Sequence, residues 1–327
     1  MAKQTIGFIG AGRFGVTLAL ALNSPERKIK IFCLSEQLKE LLSSRTSPQL
    51  LDYKIPKNIK ITDNKDEAKD NEILFWVIPG SSLIESWNAW KAYIPVGTVI
   101  VNVSKTIETT KDNKLLLPSH IMKNKSNPFV QFVSAAFPKG ILEESPTFGT
   151  AFSRDLKSAR KIAKLFEMTA INASFSSDVD AGQISAALKN IYALGAGLSA
   201  GIGCDFMTQS AIATKGLEEI IKFSLIYGRK VSEKTFFDHP VLATDLYGTC
   251  LSDQSKNRLF GIELAKKDHR NRRKISLEKE VPEGIHTLEV VSLLLKKEFP
   301  KKMPIAYITF KIIIEGYKPD LIKSVLS

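Results

Sequence analysis

Cysteine and histidine are scarce in this chain, and neither is arranged as a metal site. The 327 residues include three cysteines and four histidines. Cys33, Cys204 and Cys250 are widely separated and lack the close pairing typical of zinc ligands. We therefore expect reduced thiols, a cytoplasmic protein and no bound metal.

Long apolar runs are also missing. The longest apolar stretch, 184–203, is interrupted by Lys189 and contains four glycines, so it predicts a buried helix rather than a membrane span. No signal-peptide pattern precedes the first apolar segment. The hydrophobic content of 44% is enough to fill a core in each of two domains.

Acidic residues are outnumbered by basic ones, and the formal net charge is +12 at pH 7. The densest basic segment is 266–274, and no aromatic residue interleaves with its cations, as a stacking platform for nucleic acid would need. We expect a solvated basic loop rather than a nucleic-acid or membrane patch. A third interpretation is that the positive field attracts an anionic substrate and an anionic cofactor.

The most informative pattern that is present is a glycine-rich turn near the N-terminus. Apolar residues 5–9 lead into Gly10, Gly12 and Gly15, and an apolar helical segment follows. Strand, glycine turn and helix in this order are the context of the dinucleotide-binding fingerprint. Gly10 allows the tight turn, Gly12 lets a backbone approach the pyrophosphate, and Gly15 lets the helix pack closely on the strand. The turn predicts a dinucleotide cofactor.

Strand-like and helix-like segments alternate in the first half of the chain. Alternation with short connections predicts a doubly wound, Rossmann-like parallel sheet that binds ligands beyond the carboxyl ends of its strands. The predicted strands are 5–9, 29–34, 72–78, 98–103, 129–134 and 170–175. The predicted helices between them include 36–43, 81–93 and 156–166.

Strand patterns stop at about residue 178, and helical patterns continue to the C-terminus. We therefore predict an α/β fold of two domains: a dinucleotide-binding domain over residues 1–178, and an all-helical substrate and catalytic domain over residues 179–327. The helices predicted in the second domain include 185–197, 208–227, 284–297 and 304–315.

Two lysines are candidates for chemistry. Hydride transfer at a hydroxyl-bearing carbon needs a neighbouring group that exchanges the hydroxyl proton. Lys189 lies in an otherwise apolar helical segment, where burial lowers the pKa of a lysine and makes it a proton acceptor. The alternative is a structural lysine that extends from the helix to water. Lys105, just after the strand 98–103, is either a ligand contact or a surface lysine.

A second candidate is the polar segment 245–258, which concentrates hydroxyls, a carboxylate, an amide and cations. Such groups suit a phosphate, whose oxygens accept several hydrogen bonds. The same segment is also typical of a helix start, because Ser255 precedes a helical pattern and serine is a favoured N-cap. The residues alone do not choose between a phosphate site and a capped helix.

Nine short motifs follow one another along the chain. They are Gly10-x-Gly12-x-Phe14-Gly15, Ser104-Lys105-x-Ile107-Glu108, Lys189-Asn190, Gly216-Leu217-x-Glu219, Asp245-x3-Thr249-Cys250, Gln254-Ser255-x-Asn257-Arg258, Glu283-Gly284, Met303-Pro304-Ile305 and Glu315-Gly316. In this order and at these separations, they resemble the bacterial NAD(P)-dependent glycerol-3-phosphate dehydrogenases over essentially the whole chain.

The resemblance implies an oxidoreductase that interconverts dihydroxyacetone phosphate and sn-glycerol 3-phosphate and so supplies glycerophospholipid synthesis. It implies that Lys189 transfers the proton and that Lys105 contacts both substrate and nicotinamide. The other implied residues are Asp245 and Thr249 in the catalytic site, Ser255, Lys256 and Asn257 at the substrate, and Gly10, Gly12, Arg13, Phe14, Gly15, Val281 and Glu283, with Lys105, at the cofactor. We expect a homodimer, the commonest oligomer.

Several positions depart from the family pattern. Lys215 and Lys256 stand where the family has arginines, which weakens or rearranges the bidentate recognition of a phosphate. Leu34 replaces an arginine associated with the 2′-phosphate of NADP; this favours NAD as cofactor and leaves NADP open. The other departures are Gln183, Met207 and the altered turn 134–140. Two alternatives therefore stay open: a related dehydrogenase for another small hydroxy acid or phosphate, and a non-catalytic nucleotide-binding descendant.

Overall fold

The structure, a computed structural model, describes residues 3–47, 50–124, 126–267 and 281–326. Contacts between residues divide the chain into two compact units. Unit 1 comprises Met1–Ser104 and Pro118–Val179, and unit 2 comprises Lys105–Leu117 and Asp180–Ser327. The segment 105–117 is thus the part of the first half of the chain that belongs with the C-terminal residues. That unit 1 serves the cofactor and unit 2 the substrate stays a prediction.

The strands of the described chain are short, and most belong to one sheet. In chain order they are β1 (Gln4–Ile9), β2 (Arg27–Phe32), β3 (Thr46–Ser47), β4 (Leu50–Lys54), β5 (Lys60–Thr62), β6 (Ile73–Trp76), β7 (Val99–Asn102), β8 (Glu108–Thr109), β9 (Leu115–Leu116), β10 (Phe129–Ser134), β11 (Thr147–Phe152) and β12 (Ile171–Ser176). Two antiparallel pairs, β3 with β4 and β8 with β9, lie apart from the main sheet.

The main sheet of unit 1 has the order β12-β11-β10-β7-β6-β1-β2-β5. Its neighbouring strands run parallel, except that β10 and β11 pair antiparallel. The predicted doubly wound, Rossmann-like sheet is therefore confirmed, but two of its strands were not predicted. Strand β5 at one edge has only three residues, which is too short for a clear pattern. Strand β11 pairs with an antiparallel neighbour, which needs no crossover helix, and Gly149 interrupts its apolar pattern.

The helices of unit 1 lie between these strands. They are α1 (Arg13–Ala21), α2 (Glu36–Ser43), α3 (Leu83–Trp90), α4 (Pro118–Ile121), α5 (Pro138–Leu142) and α6 (Leu156–Lys164). Side-chain caps fix two of their starts: Ser35 accepts a hydrogen bond from the Leu38 amide before α2, and Asp155 accepts one from the Lys157 amide before α6. These caps explain why both starts were predictable from the sequence.

The core of unit 1 is centred on the middle strands. All four residues of β6 are buried, as expected for a parallel strand covered on both faces. Phe8 of β1 stacks on Phe75 of β6 with ring centroids 5.0 Å apart. On the same strand, the Trp76 indole donates a hydrogen bond of 2.8 Å to the Ser86 hydroxyl of α3. The strands that lead to the glycine turn are therefore rigidly held.

Unit 2 is helical over the described residues 180–267 and 281–326, apart from its loops, and the hairpin β8–β9 joins it from residues 105–117. Its helices are α7 (Val179–Gly201), α8 (Phe206–Tyr227), α9 (Lys234–Asp238), α10 (Val241–Leu251), α11 (Lys256–Lys266), α12 (Glu283–Leu295), α13 (Phe299–Lys302) and α14 (Pro304–Ile313). The predicted helical C-terminal region is confirmed. In the described chain, no helix is long and apolar enough to cross a membrane.

Helix α7 is the central element of unit 2, and residues 181–199 are all buried. Glycines let α11 approach it at backbone distance. A Cβ added to Gly197 would lie 2.1 Å from the Arg258 carbonyl oxygen, and one added to Gly261 would lie 2.4 Å from the Leu194 carbonyl oxygen. Larger residues at these two positions would separate the helices, so the glycines set the spacing of α7 and α11.

A carboxylate from α8 caps the N-terminus of α14. Glu219 accepts hydrogen bonds from the amides of Ile305 (2.8 Å) and Ala306 (3.2 Å) and from the Tyr192 hydroxyl of α7 (3.1 Å). Burial raises the pKa of Glu219 to about 7, although these three donors favour the ionised form. The motifs 216–219 and 303–305 therefore meet in one buried interaction.

Candidate active site

The glycine turn of unit 1 leaves one position open for a ligand. Gly10 has a φ of +110°, and an added Cβ would lie 2.3 Å from the Val77 carbonyl oxygen. A Cβ on Gly15 would lie 2.2 Å from the Gly10 carbonyl oxygen. At Gly12, the N-cap of α1, an added Cβ meets nothing within 4 Å. The fold therefore requires Gly10 and Gly15, whereas Gly12 exposes backbone at a helix N-terminus, which suits a pyrophosphate.

The other residues predicted at the cofactor are less constrained. Arg13 is exposed in the first turn of α1, and Phe14 is half-buried against the core of unit 1. Leu34, after β2, is 47% exposed. The nearby cation Lys39 is engaged by Asp63, with 2.8 Å between ammonium and carboxylate.

Unit 2 brings together the four residues predicted for catalysis. Lys189 lies on α7, Asp245 and Thr249 lie one turn apart on α10, and Lys105 begins the segment 105–117. The Lys189 ammonium donates to Asp245 Oδ1 at 2.5 Å and to Thr249 Oγ1 at 2.7 Å. The Lys105 ammonium donates to Asp245 Oδ2 at 3.0 Å. We refer to these four residues as the lysine–aspartate cluster.

The two lysines of the cluster differ in the direction in which their pKa is shifted. Lys189 is only 5% exposed. Its pKa falls to about 7, mainly because burial removes hydration, with a further contribution from the Lys105 charge; Asp245 opposes the shift. For Lys105 burial again lowers the pKa, but the charge and hydrogen bond of Asp245, with contributions from Lys189 and Glu283, together raise it above its ordinary value. The pKa of Asp245 is lowered, because the two lysines outweigh burial.

The charge balance of the cluster explains this division. Two ammonium groups share one carboxylate, so the fully ionised cluster carries a net positive charge in a buried place. Loss of one proton from Lys189 leaves a neutral amine beside an intact pair of Lys105 and Asp245. A lysine that exchanges a proton near neutral pH suits general acid–base chemistry. The alternative that Lys189 extends to water is wrong, because its side chain is buried among these partners.

A buried amide lies next to the cluster on α7. Asn190, 4% exposed, accepts a hydrogen bond of 3.1 Å from Asn257, and the Asn257 oxygen accepts one of 3.0 Å from the Gly284 amide. The Asn190 Nδ2 has no hydrogen-bond partner among the described residues. A buried donor without a partner is costly unless a ligand or water accepts from it. Sequence reasoning gave Asn190 no role of its own, although it follows Lys189 directly.

The polar segment before α11 contains the helix cap that sequence reasoning had weighed against a phosphate site. Ser255 is the N-cap of α11 and accepts from the Arg258 amide at 3.3 Å. Lys256 is exposed in the first turn of α11. The Arg258 guanidinium is engaged by Asp253 at 2.6 Å and by Gln209 at 3.0 Å. The substrate roles of Ser255, Lys256 and Asn257 stay predictions.

Other predicted positions are placed without a defined role. Val281 is 49% exposed before α12, and Glu283 in the first turn of α12 raises the pKa of Lys105. Lys215 lies 3.6 Å from Glu218 on the surface of α8, and Met207 is 70% exposed. Within the described residues, no group of acidic, histidine and cysteine side chains is placed to hold a metal ion. Most of the basic segment 266–274 lies outside the described residues.

Comparison with known proteins assigns the chain to a family. The N-terminal model of the NAD-dependent glycerol-3-phosphate dehydrogenases matches residues 5–159, and the C-terminal model matches residues 178–323. The glycerol-3-phosphate dehydrogenase (NAD(P)+) of Ruthia magnifica is 30% identical over 312 residues, which cover 95% of this chain and 93% of that protein. The chain belongs to the NAD-dependent glycerol-3-phosphate dehydrogenase family.

Further relatives agree with this family. The glycerol-3-phosphate dehydrogenase (NAD(P)+) of Clostridium botulinum is 28% identical over 319 residues, covering 96% of this chain and 94% of the relative. The crystal structure of glycerol-3-phosphate dehydrogenase from Coxiella burnetii has the same fold, with a TM-score of 0.86 over 99% of both chains and 21% identity. The predicted family and fold class are confirmed, and with them an NAD(P)-linked oxidoreductase family.

Proposed function

We propose that this chain is an NAD(P)-dependent glycerol-3-phosphate dehydrogenase, which interconverts dihydroxyacetone phosphate and sn-glycerol 3-phosphate. The observation that carries the proposal is the lysine–aspartate cluster. A buried lysine whose pKa lies near neutrality is held by a carboxylate and a hydroxyl, in a chain of this family. This is the proton-exchanging group that a hydroxyl-to-carbonyl reaction needs.

The residues of unit 1 fit a dinucleotide. The backbone at Gly12 is open at the N-terminus of α1, where helix amides attract phosphate oxygens. Gly10 and Gly15 hold that backbone in place, and Arg13 and Phe14 complete the predicted set. A bound nicotinamide dinucleotide supplies or accepts the hydride.

In the direction of reduction, protonated Lys189 donates its proton to the carbonyl oxygen of the substrate. In the direction of oxidation, the neutral amine accepts the hydroxyl proton. Asp245 and Thr249 orient the Lys189 nitrogen through bonds of 2.5 and 2.7 Å. Lys105 keeps its positive charge, because its pKa is raised, and so offers a cation to an anionic substrate.

Substrate recognition belongs to the segment that begins α11. Lys256 supplies an exposed cation, and the unpartnered Asn190 Nδ2 supplies a buried donor. The side-chain amide of Asn257 donates a hydrogen bond to Asn190 Oδ1, which fixes the orientation of the Asn190 side chain. A phosphate accepts hydrogen bonds from all such groups, and lysine binds it as a point charge rather than through the planar fork of arginine.

The end of β2 supports NAD as the preferred cofactor. A 2′-phosphate needs a free cation at this point, but Leu34 is apolar and Lys39 is engaged by Asp63. Glu36 is exposed in the first turn of α2, where its carboxylate suits a ribose hydroxyl and repels a phosphate. We therefore infer that NADH binds more tightly than NADPH.

The finer predictions belong to the same proposal. Free thiols at Cys33, Cys204 and Cys250 support a reducing, cytoplasmic location. A role in supplying glycerophospholipid synthesis follows from the proposed product, sn-glycerol 3-phosphate. A homodimer is the default oligomer for such an enzyme. We also keep the assignment of the cofactor to residues 1–178 and of the substrate to residues 179–327, with Lys105 as the exception.

The test is oxidation of NADH and of NADPH by the purified protein with dihydroxyacetone phosphate, followed by absorbance. We expect turnover with NADH, and a Lys189→Met variant that loses about 10²- to 10⁴-fold in kcat while binding NADH as the wild type does. Lys164→Met, at an exposed position of α6, is the matched control and should stay active. Near wild-type turnover in Lys189→Met would refute the role of Lys189. Cofactor binding without turnover would favour a different hydroxy substrate or a non-catalytic protein.

A further inference from the structure

A histidine–carboxylate pair connects the Lys105 segment to α12. Glu108, three residues after Lys105, lies in β8, and His286 lies in the first turns of α12. The two side chains meet with 2.9 Å between His286 Nε2 and Glu108 Oε1. The pair joins the motif 104–108 to a residue two positions after the motif 283–284. Glu108 has no part in the proposed chemistry.

The hydrogen-bond partner of the His286 ring is a carboxylate. Glu108 Oε1 accepts from His286 Nε2. Protonation of His286 turns this contact into a charge-assisted hydrogen bond, which is shorter and stronger than a neutral one. Protonated His286 therefore binds most tightly to Glu108 of β8, three residues after Lys105.

The charges around His286 favour its protonated form. The bond to Glu108 raises the pKa of His286, Glu289 one turn further along α12 adds to the rise, and burial opposes it. From the other elements packed on α12, Lys311 of α14 is bonded to Glu315. At the start of α12, the charge of Glu283 raises the pKa of Lys105. The net pKa of His286 lies above its ordinary value.

We propose that protonated His286 is a positioning residue that fastens β8 to α12 and thereby holds Lys105 against Asp245. The proposal rests on the proposed function, in which Lys105 contacts the substrate. The geometry that supports it is direct: Glu108 is bonded to α12 at 2.9 Å, and Lys105 is bonded to α10 at 3.0 Å. The short segment between these two residues is thus held at both ends.

The pair gives the Lys105 segment a pH dependence of definite sign. A histidine whose pKa is raised by its partner keeps that contact fully formed below its ordinary pKa and loses it as the pH rises through the raised value. The pair is partly exposed, with His286 at 43% of its side-chain surface, so the effect is modest. We expect a change of about two- to fivefold, the range for exposed ion pairs.

The first experiment does not depend on catalysis. Hydrogen–deuterium exchange of peptides covering 105–117 is measured at pH 6 and pH 8.5 and corrected for the intrinsic rate. We expect protection to fall about two- to fivefold with pH in the wild type, to be low at both pH values in His286→Asn, and to be high at both in His286→Arg. Arginine keeps a charge and several donors at every pH. The same pH dependence in all three proteins would overturn the proposal.

The second experiment separates His286 from Lys189, which titrates in the same range. We expect KM for dihydroxyacetone phosphate to rise about two- to fivefold between pH 6 and pH 8.5 in the wild type and to stay flat in His286→Arg, while kcat keeps its pH profile. Glu167→Gln, which removes an exposed carboxylate of unit 1 that is not among the groups that shift the pKa of His286, is the control and should behave as the wild type. A changed kcat profile with unchanged KM would overturn the positioning role.

The two experiments distinguish the failure of this proposal from the failure of the proposed function. If dihydroxyacetone phosphate is not reduced at all, the exchange measurement still decides whether His286 holds the segment 105–117. If the enzyme is active and His286→Arg and His286→Asn share its KM profile, only the role of His286 is refuted.

Discussion

Replacement of Asp245 by asparagine tests the electrostatics of the lysine–aspartate cluster. The substitution keeps the size of the side chain but removes the charge that the two lysines share. The oxygen of the asparagine amide can accept a hydrogen bond from one of the two ammonium groups. Its NH₂ group then faces the second ammonium group, and neither of these two groups can accept a hydrogen bond. We expect the pKa values of Lys189 and Lys105 both to fall, because Asp245 raises each of them in the native protein.

The magnitude follows from the geometry of the pair. The Lys189 nitrogen and the nearer Asp245 oxygen are 2.5 Å apart. At an effective dielectric constant of about 20, opposite charges about 4 Å apart attract by about 4 kcal/mol. At 1.36 kcal/mol per pKa unit, the loss corresponds to up to about three units. Removal of one partner from a buried pair also costs about 3–5 kcal/mol of stability, since a charge is left uncompensated.

The assay is the pH dependence of kcat/KM for the reduction of dihydroxyacetone phosphate. In the proposed mechanism protonated Lys189 is the proton donor in this direction, so the rate is expected to decline as the pH rises through its pKa. In Asp245→Asn the decline moves to lower pH, and the rate at pH 7 falls by about two to three orders of magnitude. Asp66→Asn, an exposed aspartate in unit 1, is the control. An unshifted profile in folded Asp245→Asn would refute the argument that this carboxylate keeps Lys189 protonated.

Three further substitutions test the glycine turn and the buried Glu219. Gly12→Ala should leave the melting temperature unchanged and weaken NADH binding at least about tenfold. Gly10→Ala should instead lower the free energy of unfolding by about 1–3 kcal/mol, because its added Cβ meets the Val77 carbonyl oxygen at a positive φ. Equal destabilisation by the two substitutions would contradict an open position at Gly12. Glu219→Gln should flatten the pH dependence of urea unfolding. The raised pKa of Glu219 gives the wild type up to about 3 kcal/mol of stability below pH 4, which is lost as the pH rises to above 7, and an equal slope in both proteins would count against it.

The regular elements of unit 1 were largely predictable from the sequence. The bounds of α2 and β10 agree with the prediction, because Ser35 caps the first and six consecutive residues of the second match a buried strand pattern. Strand β11 was missed because its residues alternate weakly and its neighbour runs antiparallel. The local sequence pattern therefore predicts elements that have their own capping residue or apolar run. It fails for a strand that forms only because a neighbouring strand pairs with it.

For the candidate site, the sequence predicted the residue types but not their pairing. The apolar neighbours of Lys189 correctly indicated its burial. The bond between Lys105 and Asp245 joins residues 140 positions apart, and spacing along a chain contains no information on such a contact. The same holds for Glu108 and His286, which are 178 positions apart. Ser255 is the opposite case, because its role as the N-cap of α11 was predictable from the neighbouring residues alone.

The path of the chain between the two units limits how the protein can be recombined with its relatives. The chain changes unit after residues 104, 117 and 179. A chimera joined at residue 178 would take Asp245 and His286 from one parent, and Lys105 and Glu108 from the other, so each of the two pairs would combine side chains from different parents. A functional exchange must instead carry residues 105–117 together with 180–327. The residues proposed for acid–base chemistry are thus encoded by two separate stretches of the gene, which must be inherited together.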